Sequence, residues 1–565
     1  MSNQPIYDIA EICARKGIIQ VVLCPGSRCA PLTLAFTRHP KIRCRTFSDE
    51  RSAGFVALGI ARQTKQAVVL VSTSGTAGYN YAPAVAEAFF SETPLVVITA
   101  DRPTEWIAQH DGQTIYQHNL YGKHVKNSYT LPQNYDHPDD CWHINRIINQ
   151  AINLANAQPK GPVHVNAPFR EPFYPEHGET FSYSKDIRII DEDSPVFLAE
   201  SLKEKLTAAL EGKRKILVVA GQHDGNPALT DVLQTTAANL PVITGVLSNL
   251  HNLKKGIRYA DSFLGKIPAE TEIKLKPDLL ISFGKSVISK NLKLFLRKFP
   301  DLEHWHIQPY TTATDPFQNL RKTIVADPTD FFDFLNSIRL TLSIPYAEDW
   351  KAEENRIAQL HKHYFSQLRI SELDLVSRVL AKLPAGCNLH LANSMSVRYA
   401  ELIGLQPHQQ VTVYSNRGTS GIDGCTSTAV GHCLSSDALQ VLITGDLAFF
   451  YDRNAFWHSY PMANLRVVLL NNHGGIIFKL IDGPADLPEA DEYFVTRQPL
   501  TAKNICAEFG FDYLPVKSAE SLRTLLEDFF MPDSKTKLLE LESRIDLNKQ
   551  VFENFKQILS QRHET

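Results

Sequence analysis

The chain has 565 residues, too many for one core and enough for about three domains. Hydrophobic residues make up 43% and charged ones 21%. The 58 basic side chains stand against 61 acidic ones, a formal net charge of −3, so no basic excess points to nucleic acid and an anionic ligand must be held by locally placed cations.

The start carries no apolar signal core behind a basic region, and no uninterrupted run of about eighteen apolar residues follows, which predicts a cytoplasmic protein without membrane insertion. The nine cysteines, an odd number with no CxxC pair, fit reduced thiols rather than a disulfide frame or a zinc site.

Short β-rich apolar runs recur, each followed by a turn and a helical pattern. The first series is VVLCPGS from Val21, AVVLVSTSGT from Ala67, PLVVITADRP from Pro94 and VHVNAP from Val163. A polar stretch near 175–195 breaks the rhythm, which restarts with ILVVAG from Ile216, PVITG from Pro241 and DLLISFG from Asp278. It breaks again around 344–356. The third series is NLHLANS from Asn388, VTVYSNRG from Val411, LQVLITGD from Leu439, LRVVLLNN from Leu465 and KLLELES from Lys537. Such βα repetition predicts an α/β protein of three doubly wound parallel-sheet domains, over residues 1–180, 190–345 and 355–565.

In open parallel sheets ligands bind beyond the carboxyl ends of the strands. The residues at those ends are Ser27 and Arg28, Asp49 and Glu50, Ser74, Gly75 and Thr76, Asp101 and Arg102, Asn393 and Ser394, Asn416 and Arg417, Asp446, and Asn472. Arg28, Arg102, Arg398 and Arg417 each follow a strand. A guanidinium fork matches a carboxylate bidentately, so the four together imply substrates with several carboxylates; any one of them alone also reads as an ordinary ion pair.

Two buried strands end in oxygen-bearing side chains. Gly445 and Asp446 follow the run Leu439 to Ile443, and Asn471 and Asn472 follow Leu465 to Leu470, with His473, Gly474 and Gly475 next. Mg²⁺ takes about six oxygens, usually one or two of them protein carboxylates, with water and phosphate supplying the rest. Asp446, the amide oxygen of Asn472 and the backbone carbonyl of Gly474 can supply the protein's share at a magnesium diphosphate. Gly, Asp and Asn are also what plain turns prefer.

A GD pair followed about 25 residues later by NN resembles the diphosphate motif of thiamine-diphosphate-dependent enzymes. That likeness gives Glu50, at the start of a helix in TFSDERSAGFVALGIA, the task of bonding the cofactor's aminopyrimidine, which promotes loss of the thiazolium C2 proton. Burial would favour the neutral, donating carboxyl. Asp49 and Glu50 also read as first-turn acids favoured by the helix dipole. In the Gly-rich segment YSNRGTSGIDGCTSTAVG, from Tyr414 to Gly431, Ile422 has the bulk of the aliphatic wedge that bends the cofactor in such enzymes, or of plain core filling. SFGKS, from Ser282, lacks the earlier glycine of a phosphate loop and reads as a turn.

Taken together, PGSR with CAPLT, SDERSAGFVALGIA, STSGTA, TADRPTEW, DGQTI, NSMSVR, YSNRGTSGIDG, GDLAFFYD and NNHGGIIF resemble the 2-succinyl-5-enolpyruvyl-6-hydroxy-3-cyclohexene-1-carboxylate synthases of menaquinone biosynthesis, the MenD family, from about residue 24 to 481. The resemblance implies a transferase that decarboxylates 2-oxoglutarate on thiamine diphosphate with Mg²⁺ or Mn²⁺, then adds the succinyl carbanion equivalent to isochorismate in a Stetter-like 1,4 fashion.

Carried over by motif, Glu50 activates the cofactor, and Ser74, Gly75, Thr76, Ile422, Gly445, Ile477 and Phe478 join its pocket. Asp446, Asn472 and Gly474 hold the metal. Ser27, Arg28, Arg102, Gln113, Ser394, Arg398, Arg417 and Ile481 contact substrate, as does Lys290, for which Lys285 is a rival. The pyrimidine-side and diphosphate-side domains of such enzymes usually meet across subunits, which implies a homodimer or homotetramer.

His473 stands where the family pattern leads one to expect Asn or Asp. His110, near Gln113, reads as an ordinary loop histidine. Another thiamine-dependent 2-oxo acid decarboxylase or carboligase would share Glu50 and the diphosphate motif, but flavin-binding relatives need a middle domain that holds a dinucleotide, and AGQHDGNP contains no GxGxxG. A noncatalytic nucleotide-binding or scaffold protein on the same sheets is the reading from a different class.

Overall fold

The computed structural model describes residues 4–171, 173–175, 181–192, 196–367, 369–481 and 483–561. The expected domain limits at 1, 180 and 565 fall outside these residues.

The first βα series builds a six-stranded sheet from β1 (Gln20–Leu23), β2 (Arg43–Thr46), β3 (Val68–Ser72), β4 (Leu95–Asp101), β5 (Ser128–Thr130) and β6 (Pro162–Pro168), in the order β2-β1-β3-β4-β6-β5. Every neighbouring pair is parallel. β3, β4 and β6 are buried along their whole length, as near-continuous apolar runs must be when helices cover both faces. The strand order reverses between β1 and β3, so PGSR and STSGTA leave the sheet at its switch point, where a crevice forms in such folds.

The second series forms β7 (Ile216–Ala220), β8 (Val242–Thr244), β9 (Leu279–Phe283), β10 (Glu303–Gln308) and β11 (Leu320–Val325), ordered β11-β10-β9-β7-β8 and again parallel throughout. The third forms β12 (Asn388–Leu391), β13 (Thr412–Tyr414), β14 (Gln440–Gly445), β15 (Leu465–Asn471), β16 (Asp512–Pro515) and β17 (Lys537–Glu542), ordered β13-β12-β14-β15-β17-β16. Its order reverses between β12 and β14, the strands that are followed by Ser394 and Asp446.

Packing divides the chain into two compact units. One comprises Met1–Ser194, Asn416–Gln440 and Ala448–Leu465; the other comprises Pro195–Ser415, Val441–Leu447 and Arg466–Thr565. The third series therefore feeds both units. In the first, helix Cys425–Cys433 lies against helix Glu50–Thr64 at a separation only glycine permits: a Cβ on Gly59 would sit 2.2 Å from the Thr428 carbonyl oxygen, and one on Gly431 2.2 Å from that of Val56. In the second, Asn249 exchanges two hydrogen bonds with the Val413 backbone, joining the edge of the third sheet to the loop after β8.

Among the described residues no helix is long and apolar enough to cross a membrane. All nine cysteines carry free thiols, seven of them buried.

Candidate functional site

In the first unit, Glu50 is the first residue of helix Glu50–Thr64, and Asp49 caps that helix by accepting the Ser52 N–H at 3.2 Å. Asp49 also accepts from the Asn454 amide at 2.8 Å. Capping thus falls to Asp49, and among the described residues the Glu50 carboxylate meets only a long 3.4 Å approach by Asn80 Nδ2. Glu50 is half-buried within the chain, less enclosed than the burial argument expected. Next to it Arg51 pairs at 3.0 Å with Asp452, whose carboxyl burial pushes up to about 7 and which also accepts from the Ser427 backbone and hydroxyl.

The strand-end motifs of the first sheet converge on two residues that sequence reasoning did not single out. Gly75, at φ +88°, donates its N–H to Gln117 Oε1 at 2.8 Å, and a Cβ there would lie 3.3 Å from the Cα of Gln113. Gln117 donates to the Ala100 carbonyl and to Asn166 Oδ1, and Asn166 donates to Asp101 Oδ2 at 2.8 Å. Burial raises the Asp101 carboxyl. Asn166 lies within β6, two residues before its end, and Gln117 lies in a polar loop. The hydroxyls of Ser72, Thr73 and Ser74 are buried with no hydrogen-bond partner among the described residues, whereas Thr76 is exposed.

The arginines are less free than their strand-end positions suggest. Arg28 is buried, donates to the Phe169 carbonyl at 2.9 Å and stacks 4.2 Å from the Phe173 ring centre, with exposed Ser27 before it. Arg102 donates to the Gly112 carbonyl at 2.8 Å and lies 3.2 Å from the Asp111 carboxylate; Gln113, next along, is exposed. Arg417 is half-buried at the start of the Gly-rich segment. Buried Glu87 receives the N–H groups of Gly418 and Thr419 and the Thr419 hydroxyl. Ile422 is half-buried.

In the second unit, Asp446 follows β14 and is 2% exposed. Burial raises its carboxyl, opposed by hydrogen bonds from Gln498 and from the N–H groups of Leu447 and Gly474. The Gln498 bond, at 2.7 Å to Oδ2, was not foreseen. Asn472 follows β15, also buried. Its Nδ2 donates to Glu372 Oε1 at 2.6 Å, while its Oδ1 has no hydrogen-bond partner among the described residues. A buried amide oxygen in that state calls for a partner. One carboxylate, one amide oxygen aimed into protein and a nearby glycine carbonyl make a hard-oxygen donor set that fits a magnesium diphosphate. Among the described residues there is no cluster of three or more His, Cys, Asp and Glu suited to a metal, so any such site leans on neutral oxygens and ligand phosphate.

The Gly474 carbonyl accepts the Ile476 N–H at 3.1 Å. His473 adopts φ +62°, a left-handed conformation that Asn tolerates well, which accounts for the residue type expected there. Its ring lies 3.5 Å from the Glu542 carboxylate, and its backbone N–H meets Asn471 Oδ1. Gly445 closes β14; Ile477 and Phe478 open helix Ile477–Leu480, half-buried, and Ile481 is 38% exposed.

Beyond β12, Ser394 is also at positive φ, and its carbonyl accepts from Arg398 at 2.6 Å. Burial lowers the Arg398 pKa, partly offset by the Asp261 carboxylate. One turn on, buried Glu401 accepts the Val246 N–H at 2.7 Å, and burial pushes its carboxyl up to about 8. Lys290 begins helix Lys290–Arg297 and is exposed, as is Lys285, so exposure does not choose between them.

Comparison with known proteins gives a consistent picture. The family model described as the thiamine pyrophosphate enzyme N-terminal TPP binding domain matches residues 7–120, and that described as the middle domain of thiamine pyrophosphate matches 198–391. Curated 2-succinyl-5-enolpyruvyl-6-hydroxy-3-cyclohexene-1-carboxylate synthases are similar over nearly the whole length. That of Cytophaga hutchinsonii is 45% identical over 99% of both chains. That of Flavobacterium johnsoniae is 38% identical over 94% of this chain and 95% of its own. That of Porphyromonas gingivalis is 38% identical over 95% and 93%.

A solved Rhodococcus jostii RHA1 thiamine diphosphate-dependent 4-hydroxybenzoylformate decarboxylase superposes with a TM-score of 0.70 over 96% of this chain and 99% of that one; at 17% identity it speaks for the fold alone. The chain belongs to the 2-succinyl-5-enolpyruvyl-6-hydroxy-3-cyclohexene-1-carboxylate synthase family of thiamine-diphosphate-dependent enzymes.

Proposed function

We propose that the chain decarboxylates 2-oxoglutarate and joins the four carbons retained to isochorismate, using thiamine diphosphate and Mg²⁺ or Mn²⁺. The observation that carries this reading is the 45% identity, over 99% of the chain, to a curated synthase of that name. When bound, thiamine diphosphate supplies the electron sink for loss of CO₂ and for the carbon–carbon bond.

The residues then divide the work. Glu50 holds a hydrogen bond to the aminopyrimidine, free to do so because Asp49 caps the helix. Asp446, Asn472 through its Oδ1 and the Gly474 carbonyl would hold the cation, and Ser74, Gly75, Thr76, Ile422, Gly445, Ile477 and Phe478 would contact the cofactor. Arg28, Arg102, Arg398 and Arg417, with Ser27, Gln113, Ser394, Ile481 and Lys290 or Lys285, take the carboxylates and hydroxyls of the two substrates. Gln117 and Asn166 hold the loops that carry Gly75 and Arg102.

Domains over 1–180, 190–345 and 355–565, a homodimer or homotetramer and a cytoplasmic location complete the proposal. Nine free thiols suit a reducing compartment.

Calorimetric titration of thiamine diphosphate with Mg²⁺ tests the cofactor assignment. Binding that requires the metal and disappears in Asp446→Ala supports it; absence of metal-dependent binding in the wild type would favour a noncatalytic role for these sheets.

A further inference from the structure

We propose that Glu372 is the positioning residue of the metal site, fixing the amide of Asn472 so that its oxygen is the atom presented to the cation. The inference rests on the reading of Asp446, Asn472 and Gly474 as metal ligands.

A primary amide has a donor end and an acceptor end, and only the oxygen can ligate a cation. Which end faces the site depends on what meets the other. Here that partner is a carboxylate: Glu372 is fully buried, and its Oε1 takes Asn472 Nδ2 at 2.6 Å. Rotating the amide by half a turn would set its oxygen against the carboxylate oxygen, two acceptors face to face. The remaining Oδ1 is buried and has no partner among the described residues, the state of a ligand atom awaiting its ion.

Glu372 is itself immobilised from three directions. Its Oε2 accepts the Tyr399 hydroxyl at 3.1 Å, its backbone N–H donates to Asn548 Oδ1 at 3.0 Å, and it sits at the start of helix Glu372–Lys382, where a carboxylate is favoured by the helix dipole. Tyr399 comes from helix Met395–Ile403 and Asn548 from helix Ile545–Ser560, so the orienting group is braced by elements remote in sequence. Partners of this kind behind a ligand typically alter metal affinity 10- to 100-fold.

The experiment is Mn²⁺ binding to the full-length protein with thiamine diphosphate, read by the electron paramagnetic resonance of free Mn²⁺ rather than by turnover. Glu372→Met should weaken Mn²⁺ roughly 10- to 100-fold, while Glu372→Gln, which keeps an acceptor oxygen for Asn472, should recover most of that loss. Asn472→Asp places two carboxylates in contact and should weaken binding although Asp is the better ligand for a cation. Glu372→Gln combined with Asn472→Asp restores a donor–acceptor pair and should recover affinity, a coupling that a purely structural role would not produce.

Wild-type affinity in Glu372→Met, or an Asn472→Asp protein that binds at least as tightly as wild type with no effect of the second change, overturns the proposal. If Glu372→Met does not fold, the swap pair decides. Asp446→Ala separates the two levels: unchanged Mn²⁺ affinity there would sink the metal reading itself, whereas its loss alongside an unaffected Glu372→Met would sink only the positioning role.

Discussion

Gln498 Nε2 donates to Asp446 Oδ2 at 2.7 Å and lies 3.1 Å from Asn471 Oδ1, so one amide ties together the ends of β14 and β15. On the proposed reading it steadies the carboxylate that holds the cation. Gln498→Leu should therefore weaken binding of thiamine diphosphate with Mg²⁺ by about tenfold, measured by calorimetry. Affinity equal to wild type would show that Asp446 needs no such support.

Glu50→Gln should retain the cofactor but lower kcat by about 10²- to 10⁴-fold, the span of a lost proton-transfer partner. Asp49→Asn serves as the control, because Asn caps a helix as well as Asp does and the Asp49 side chain is used for capping and for Asn454. Full turnover in Glu50→Gln, followed by isochorismate consumption, would remove the assigned role.

Glu87 holds the backbone N–H groups of Gly418 and Thr419 on either oxygen, beside Arg417. In Glu87→Ala those donors lose a buried acceptor, and because Gly418 is half-buried and Thr419 exposed, each bond is worth about 1 kcal/mol. A fall in Tm of several degrees is expected, together with a raised KM for whichever substrate Arg417 contacts. An unchanged Tm would mean that the segment finds other partners.

The buried carboxyl of Glu401 gives a pH signature. Its folded pKa, about 8, lies above the ordinary 4.5 because burial disfavours the charge. The folded state then binds this proton more tightly than the unfolded one, so the contribution is complete below about pH 4.5 and is lost as pH rises towards 8. Glu401→Gln, a neutral mimic that can still accept from Val246, should keep its Tm while the wild type declines between pH 6 and 8. Parallel pH profiles for the two proteins would contradict the assignment.

Much of this was legible in the sequence because it is local. Apolar runs such as Val68–Ser72 and Leu465–Asn471 announce buried strands, and turn residues at their ends mark the carboxyl edge where Glu50, Asp446 and Asn472 stand. The residues that orient those groups were not legible. Asn166 is 65 positions from Asp101, Gln498 is 52 from Asp446, and Glu372 is 100 from Asn472, separations across which no period or spacing survives. The same holds for Arg28, whose carbonyl partner Phe169 lies 141 positions away. The glycine contact of Gly59 with Thr428 likewise draws 416–440 into the first unit, although the βα rhythm assigns it to the third sheet.

The most direct measurement is a two-substrate assay of the purified protein with thiamine diphosphate and Mg²⁺, given 2-oxoglutarate with and without isochorismate. Isochorismate loss and product mass are followed together. The account predicts that isochorismate disappears only when cofactor and 2-oxoglutarate are both present, yielding an adduct heavier by 2-oxoglutarate less CO₂. Untouched isochorismate alongside CO₂ release from 2-oxoglutarate or pyruvate would contradict it and leave a thiamine-dependent decarboxylase of another kind.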